Sequence, residues 1–196
     1  MHNTAAVKGN WRILPGSLLV VFLSIEVVLL TLQNRKLKET LRTATPLGQF
    51  ESLQPGDHVP PIKLQSMGGS TVELPYDDSS REYLLFVFST TCPHCVKNLP
   101  TWQAISDSAK GHDLSVLGIS IHDITQTRDY VLRTNPHFYV AAAETTFGRQ
   151  YKITGVPVTV LITGRGVVEK TWMGELTAED SREIERLVAE VKPLAD

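Results

Sequence analysis

The sequence predicts an α/β domain built on a mixed sheet and preceded by a long apolar helix, on three observations. Continuous apolar runs at 83–88 (YLLFVF), 114–121 (LSVLGISI) and 158–163 (VTVLIT) are too short for buried helices and fit strands covered on both faces. Segments of helical spacing alternate with these runs, and Gly164-Arg165-Gly166 then turns the chain into the alternating stretch 167–173, as an antiparallel hairpin requires. Residues 13–32 read ILPGSLLVVFLSIEVVLLTL, with Ser17, Ser24, Glu26 and Thr31 as polar interruptions. As a helix this stretch is roughly 30 Å long, the thickness of a bilayer core.

The apolar stretch is expected to be an uncleaved anchor. A cleaved signal peptide ends in a small-residue site, whereas QNRKLKETLR follows here. A tail over 1–12 then precedes the anchor at 13–32, and Leu37 and Leu41, four apart, continue the helix as a stalk within 33–45. Glu26 near the middle costs about 2.5 to 3.5 kcal/mol on insertion scales, which the surrounding Leu, Val, Ile and Phe offset; it reads as a tolerated carboxyl rather than a partner-binding group. Residues 1–42 carry six basic and two acidic side chains, a charge of +4, and residues 43–196 carry thirteen basic and nineteen acidic, a charge of −6. A basic head on an acidic body argues against nucleic-acid binding and for a membrane-proximal head. Basic residues flank the anchor on both sides, so their count does not choose its orientation.

Pro46, Gly48, Pro55, Gly56, Pro60 and Pro61 break the helical pattern, which places the domain at 46–196. Extended stretches at 59–66 and 70–74 around Met67-Gly68-Gly69 predict a hairpin. The strand at 83–88 leads into a helix from Cys95 toward Ala109. The strand at 114–121 leads into a helix over 125–133, stopped by Asn135-Pro136. A short strand at 138–142, a short helix at 145–151, the strand at 158–163 and the strand at 167–173 follow. Thr177, with Asp180 three residues on, caps a last helix whose apolar stripe is Ile184, Leu187, Val188 and Val191.

Two cysteines exclude a multi-bridge secreted scaffold and a four-cysteine zinc site. Both fall in Cys92-Pro93-His94-Cys95, directly after a buried strand and at the opening of a helix. The amides and partial positive charge of a helix N-terminus favour a thiolate, making Cys92 the expected attacking sulfur. Cys95, one turn in, is placed to close a disulfide or to resolve a mixed one. Pro93 suits the first helical turn, and His94 can bring positive charge or a hydrogen bond to the Cys92 thiolate. Competing readings are weaker. His58, His112, His122 and His137 show no zinc-ligand spacing with the pair, haem attachment needs a histidine where Val96 stands, and a structural bridge closing so small a ring stabilises little.

FVFSTTCPHCVKNLP, Pro100 in the following helix, and Gly155-Val156-Pro157-Val158-Thr159 before an apolar strand together resemble the membrane-anchored thioredoxins of the TlpA/ResA type, within the broader redoxin group. The resemblance covers about residues 50–196 and includes PGDHVPPIKL in the N-terminal hairpin. It implies a thioredoxin fold with an N-terminal β-hairpin extension, a redox-active Cys92–Cys95 pair needing no other cofactor, and Pro157 as a cis-proline lying against the sulfurs. Val156 then offers backbone groups to a substrate peptide. Taken alone, Pro157 just before a strand is compatible with a cis peptide bond. Thr91 stands where thioredoxins usually have Trp, and is a substrate-contact candidate with Val156. Phe86 stands where thioredoxin has a buried acid, which leaves proton handling at Cys95 open. Glu144 is a weak candidate substitute, more simply a solvated charge. Pro93-His94 resembles the dipeptide of the oxidant DsbA, whereas the scaffold resembles reductases.

The expected function is a thiol–disulfide oxidoreductase, a reductase in direction, tethered to a bacterial inner membrane with its domain on the periplasmic side. Its partners would be protein thiols and disulfides, with apocytochrome c among the candidates in cytochrome c maturation, and a membrane-embedded electron donor or acceptor. A peroxiredoxin-like peroxidase would need Pro and Thr where Leu85 and Ser89 stand. A Sco-like copper-delivery module would need a three-residue spacing between the cysteines and a distal histidine, for which His122 or His137 would have to serve. His112 and His122 show no partner in the sequence, Trp102 reads as packing on the active-site helix, and Arg165 reads as a solvated turn residue.

Overall fold

The computed structural model describes residues 14–43 and 52–194; the expected tail 1–12 and the expected domain boundary near residue 45 lie outside the described residues. The chain divides into two compact units, Met1–Gln49 and Phe50–Asp196.

The first unit holds helix α1, Leu14–Thr43, which runs without a break over the described part of the expected anchor and stalk. Its described side chains, from Leu19 onward, are exposed, with Leu19, Phe22, Ile25, Leu29 and Leu32 all more than half accessible. Ser24 and Thr31 donate their hydroxyls to the carbonyls of Val20 and Val27, four residues back, so these polar side chains are satisfied within the helix. The sequence predicts a membrane span at 13–32; among the described residues no helix is long and apolar enough to cross a membrane.

The second unit is a seven-stranded mixed sheet with helices. In chain order it runs β1 (Ile62–Gln65), β2 (Thr71–Leu74), β3 (Glu82–Phe88), α2 (Pro93–Ser108), β4 (Leu114–Ser120), α3 (Ile124–Thr134), β5 (Tyr139–Ala143), α4 (Phe147–Gln150), β6 (Val158–Thr163), β7 (Val168–Met173) and α5 (Ala178–Glu190). Every predicted element exists, with ends moved by a few residues; the helix expected from Cys95 begins at Pro93. The strand order is β2-β1-β5-β4-β3-β6-β7. Strands β3, β4 and β5 pair in parallel through helical crossovers, and the remaining neighbours are antiparallel.

β3 lies inside the sheet between β4 and β6, and its run of large apolar residues faces two cores because successive side chains alternate across a sheet. Tyr83, Leu85 and Val87 enter one core with Ile62, Leu64, Phe147, Tyr151 and Val160. Leu84, Phe86 and Phe88 enter the other with Trp102 and Ile105 of α2, Tyr130 of α3, and Ile184 and Val188 of α5. Phe86 stacks on Trp102 at 5.1 Å and 13° and meets Phe138 edge-on, also at 5.1 Å. The Phe138 ring fits because Gly118, the neighbour of Phe86 in β4, has no side chain; a Cβ there would lie 2.6 Å from the ring. Trp102 Nε1 donates to Thr159 Oγ1 at 3.0 Å, so its one polar atom is satisfied in the core. The expected capping box of α5 is present, with Thr177 and Asp180 each bonding the other's backbone N–H.

Candidate active site

The corner between β3 and α2 carries the cysteines. Cys92 is the N-cap of α2, with extended backbone (φ −81°, ψ 118°), and its Sγ accepts the Cys95 N–H at 3.4 Å. Pro93 fills the first helical position, where a missing N–H leaves no bond unmade. The Cys92 Sγ–H donates to the Val156 carbonyl at 3.7 Å, and the Val156–Pro157 peptide bond is cis. The segment before β6, distant in sequence, thus lies against the sulfur, with Pro157 buried and Val156 half-buried. Thr91 is exposed beside it, its hydroxyl 3.1 Å from that of Ser89.

Both cysteines are free thiols in opposite surroundings. Cys92 is half-buried at the surface, whereas Cys95 has no accessible surface and belongs to the core with Phe86, Phe88, Trp102 and Tyr130. Burial pushes the Cys95 thiol up to about 12; the hydrogen bond and charge of Cys92 add to this, and the Ser89 backbone partly offsets it. Among the described residues no carboxylate is a cause of the Cys95 shift. Glu144 is exposed at the end of β5, where it lines a cavity of about 240 Å³ with Ile121, Phe147, Gly155 and Val156.

Two histidines differ from their sequence expectation. His94 is expected to turn to the Cys92 thiolate, yet its ring Nδ1 hydrogen-bonds Glu175 Oε1 in the loop after β7, a stronger acceptor than sulfur. Lys97 Nζ reaches the same oxygen at 2.9 Å, and Lys97 first and then His94 hold the Glu175 carboxyl below the ordinary carboxylate range. His122 is not without partners: Nε2 lies 3.2 Å from Ser89 Oγ and Nδ1 lies 2.7 Å from Thr90 Oγ1, so it braces the corner that leads to Cys92. His137 pairs instead with Asp107 at 2.9 Å. Among the described residues no group of three His, Cys, Asp or Glu side chains could hold a metal ion.

Sequence reasoning missed Glu175 and Asn98. Asn98 Nδ2 donates to the Gly174 carbonyl at 3.1 Å, and its Oδ1 accepts the Leu176 N–H at 2.9 Å, clamping the backbone on either side of Glu175. The available signal for Asn98 was an amide three residues after Cys95, on the face of α2 that also buries Leu99 and Trp102. No local signal marks Glu175, which is 81 residues from His94.

The Redoxin family profile matches residues 54–188, more than two thirds of the chain. The chain belongs to the redoxin family. The redoxin domain is similar to sporulation thiol-disulfide oxidoreductase A of Bacillus subtilis (strain 168), with 25% identity over 141 residues that cover 69% of this chain and 83% of that protein. Its fold matches the crystal structure of StoA from Bacillus subtilis (TM-score 0.54, 20% identity, 65% of this chain and 98% of that one). It also matches the thioredoxin domain of a thiol-disulfide oxidoreductase from Bacteroides vulgatus (TM-score 0.60, 20% identity, 70% and 99%). Family, relative and fold together make this redoxin domain a thioredoxin-like thiol–disulfide oxidoreductase.

Proposed function

We propose that this protein is a membrane-tethered protein-disulfide reductase acting through Cys92 and Cys95. The observation that carries the reading is the asymmetry of the pair: a half-exposed Cys92 at a helix N-cap beside the Val156 carbonyl, over a buried and protonated Cys95. The Cys92 thiolate attacks a substrate disulfide, forming a Cys92–substrate disulfide and releasing one substrate sulfur as a thiolate that takes up a proton. Cys95 then loses its proton and attacks Cys92 Sγ, which forms the Cys92–Cys95 disulfide and expels the second substrate thiol. The domain gives up two electrons and two protons, and a dithiol donor restores them. Val156 backbone groups and Thr91 line the surface where the substrate strand would lie beside cis-Pro157. The chemistry asks for no cofactor beyond the sulfur pair.

The tether reading rests on the apolar sequence run at 13–32, and the hydroxyls of Ser24 and Thr31, satisfied inside their own helix, suit it. It places the anchor at 13–32 in a bacterial inner membrane and the redoxin domain in the periplasm, near a membrane-embedded dithiol donor whose effective concentration the tether raises. Secreted proteins with mispaired cysteines and apocytochrome c suit such a site as substrates.

Cys92→Ser is expected to reduce insulin and DTNB no faster than buffer; turnover surviving that change overturns the reading. An equilibrium potential near the thioredoxin value of about −270 mV supports a reductase, and one near about −120 mV overturns that direction. Full-length chain that leaves the membrane fraction on alkaline carbonate washing overturns the tether.

A further inference from the structure

His94, the residue between the cysteines with most power to favour the oxidising direction, is engaged elsewhere. Its imidazole and the Lys97 ammonium converge on one oxygen of Glu175, with side-chain exposures of 60%, 63% and 39% respectively. Glu175 is held in place through its backbone. Asn98, on the helix that carries the cysteines, binds the carbonyl before it and the N–H after it. The Gly174 N–H donates to the Pro157 carbonyl at 2.8 Å, which fixes the same loop to the cis-proline segment.

We propose that Glu175 is a positioning residue for the dithiol couple: by holding the His94 imidazole on the loop after β7, it withholds a hydrogen-bond donor from the Cys92 sulfur and makes the couple less oxidising. The inference rests on the thiol–disulfide reading of the site and deepens it. A cation or N–H donor beside a cysteine sulfur stabilises thiolate character there, favours the reduced form and raises oxidising power. Lys97 and His94 of α2 meet Glu175 of the loop after β7, while the Cys92 sulfur itself accepts the Cys95 N–H and donates to the Val156 carbonyl of the cis-proline segment. With Glu175 in place, a carboxylate stands against the Lys97 ammonium and holds the His94 ring. Without it the ring is released toward the sulfur and an anion is removed, and both changes favour the dithiol. The conflict between a DsbA-like dipeptide and a reductase-like scaffold is thereby resolved by a residue far from both in sequence.

The test equilibrates full-length chain with mixtures of reduced and oxidised glutathione, in which two glutathione thiols supply the two electrons and two protons and leave as glutathione disulfide. Reduced protein is quantified by thiol alkylation and mass. Glu175→Gln is expected to raise the equilibrium constant for reduction about threefold, a size set by solvent screening of exposed charges. Glu175→Asp, which keeps the carboxylate, is expected to stay close to wild type. In a His94→Gln background the Glu175→Gln shift is expected to shrink to about 1.5-fold or less, as a double-mutant cycle requires of a residue acting through another. An unchanged equilibrium in Glu175→Gln, or an equal shift in both backgrounds, overturns the proposal. If wild-type protein reduces neither insulin nor DTNB, the proposed function itself fails; intact reductase activity with an unmoved Glu175→Gln equilibrium overturns only the role of Glu175.

Discussion

Cys92 and Cys95 are three residues apart, and the protein treats them in opposite ways. Beside Cys92 the side chains of His94, Lys97 and Glu175 form an exposed polar rim, where each interaction is screened by solvent. Beneath it, Cys95 sits among aromatic rings, and desolvation first, with the hydrogen bond and charge of Cys92, keeps its proton on. The difference teaches a division of labour. In the proposed mechanism the rim bears on the first sulfur, and the interior holds the proton of the second until a mixed disulfide has formed.

The strongest way to break this comparison is Cys95→Ser. It is expected to retain attack by Cys92 but to stall as a covalent Cys92–substrate adduct, visible on non-reducing gels, with multiple turnover falling to background. Multiple turnover at the wild-type rate would show that Cys95 does not resolve the adduct.

Next in size is pH. A buried thiol near 12 reacts through its small thiolate fraction, so release from the mixed disulfide is expected to quicken by about tenfold per pH unit from neutrality upward. Rapid-quench kinetics with a flat profile would mean that another group takes the Cys95 proton. The stability of the dithiol form has the matching sign. Because folding raises this thiol above its ordinary range, the contribution is full below pH 9 and is lost as pH rises toward 12. Denaturant midpoints of the reduced protein should fall over that window.

The interior can also be tested through its polar exception. Thr159→Val leaves Trp102 Nε1 buried without an acceptor and should cost about 1–3 kcal/mol, read as a lower denaturation midpoint. The smallest expected effect belongs to the rim, where Lys97→Ala removes an exposed contact and should leave the unfolding midpoint unchanged within error while shifting the redox equilibrium slightly. A large loss of stability from Lys97→Ala would show the rim to be structural.

Much of this arrangement could be read without coordinates, for reasons visible in particular residues. YLLFVF announces a strand buried on both faces, and Thr177 with Asp180 announces a helix start, because each signal is local. The cysteine pair is legible for the same reason: two thiols one turn apart at a helix opening are close whatever the rest of the chain does. His122 was misread because its partners Ser89 and Thr90 are more than thirty residues away, at the end of a strand that becomes its neighbour only when β3 and β4 pair. Glu144 looked usable beside a strand end, but nothing local says which side of the sheet or how deep such an acid lies.

The sequence by itself determined the order of strands and helices, the cysteine pair at a helix opening, and the apolar helix ahead of the domain, since periodicity, apolar run length and helix-start chemistry act over a few residues. Tertiary structure decided what surrounds those sulfurs. It brought Val156 to Cys92, buried Cys95 beside Tyr130, and gave His94 to Glu175 rather than to the thiolate. A thiol's proton affinity and a histidine's hydrogen bond depend on desolvation and on charges a few ångströms away, and those neighbours come from distant segments that only the folded sheet brings together.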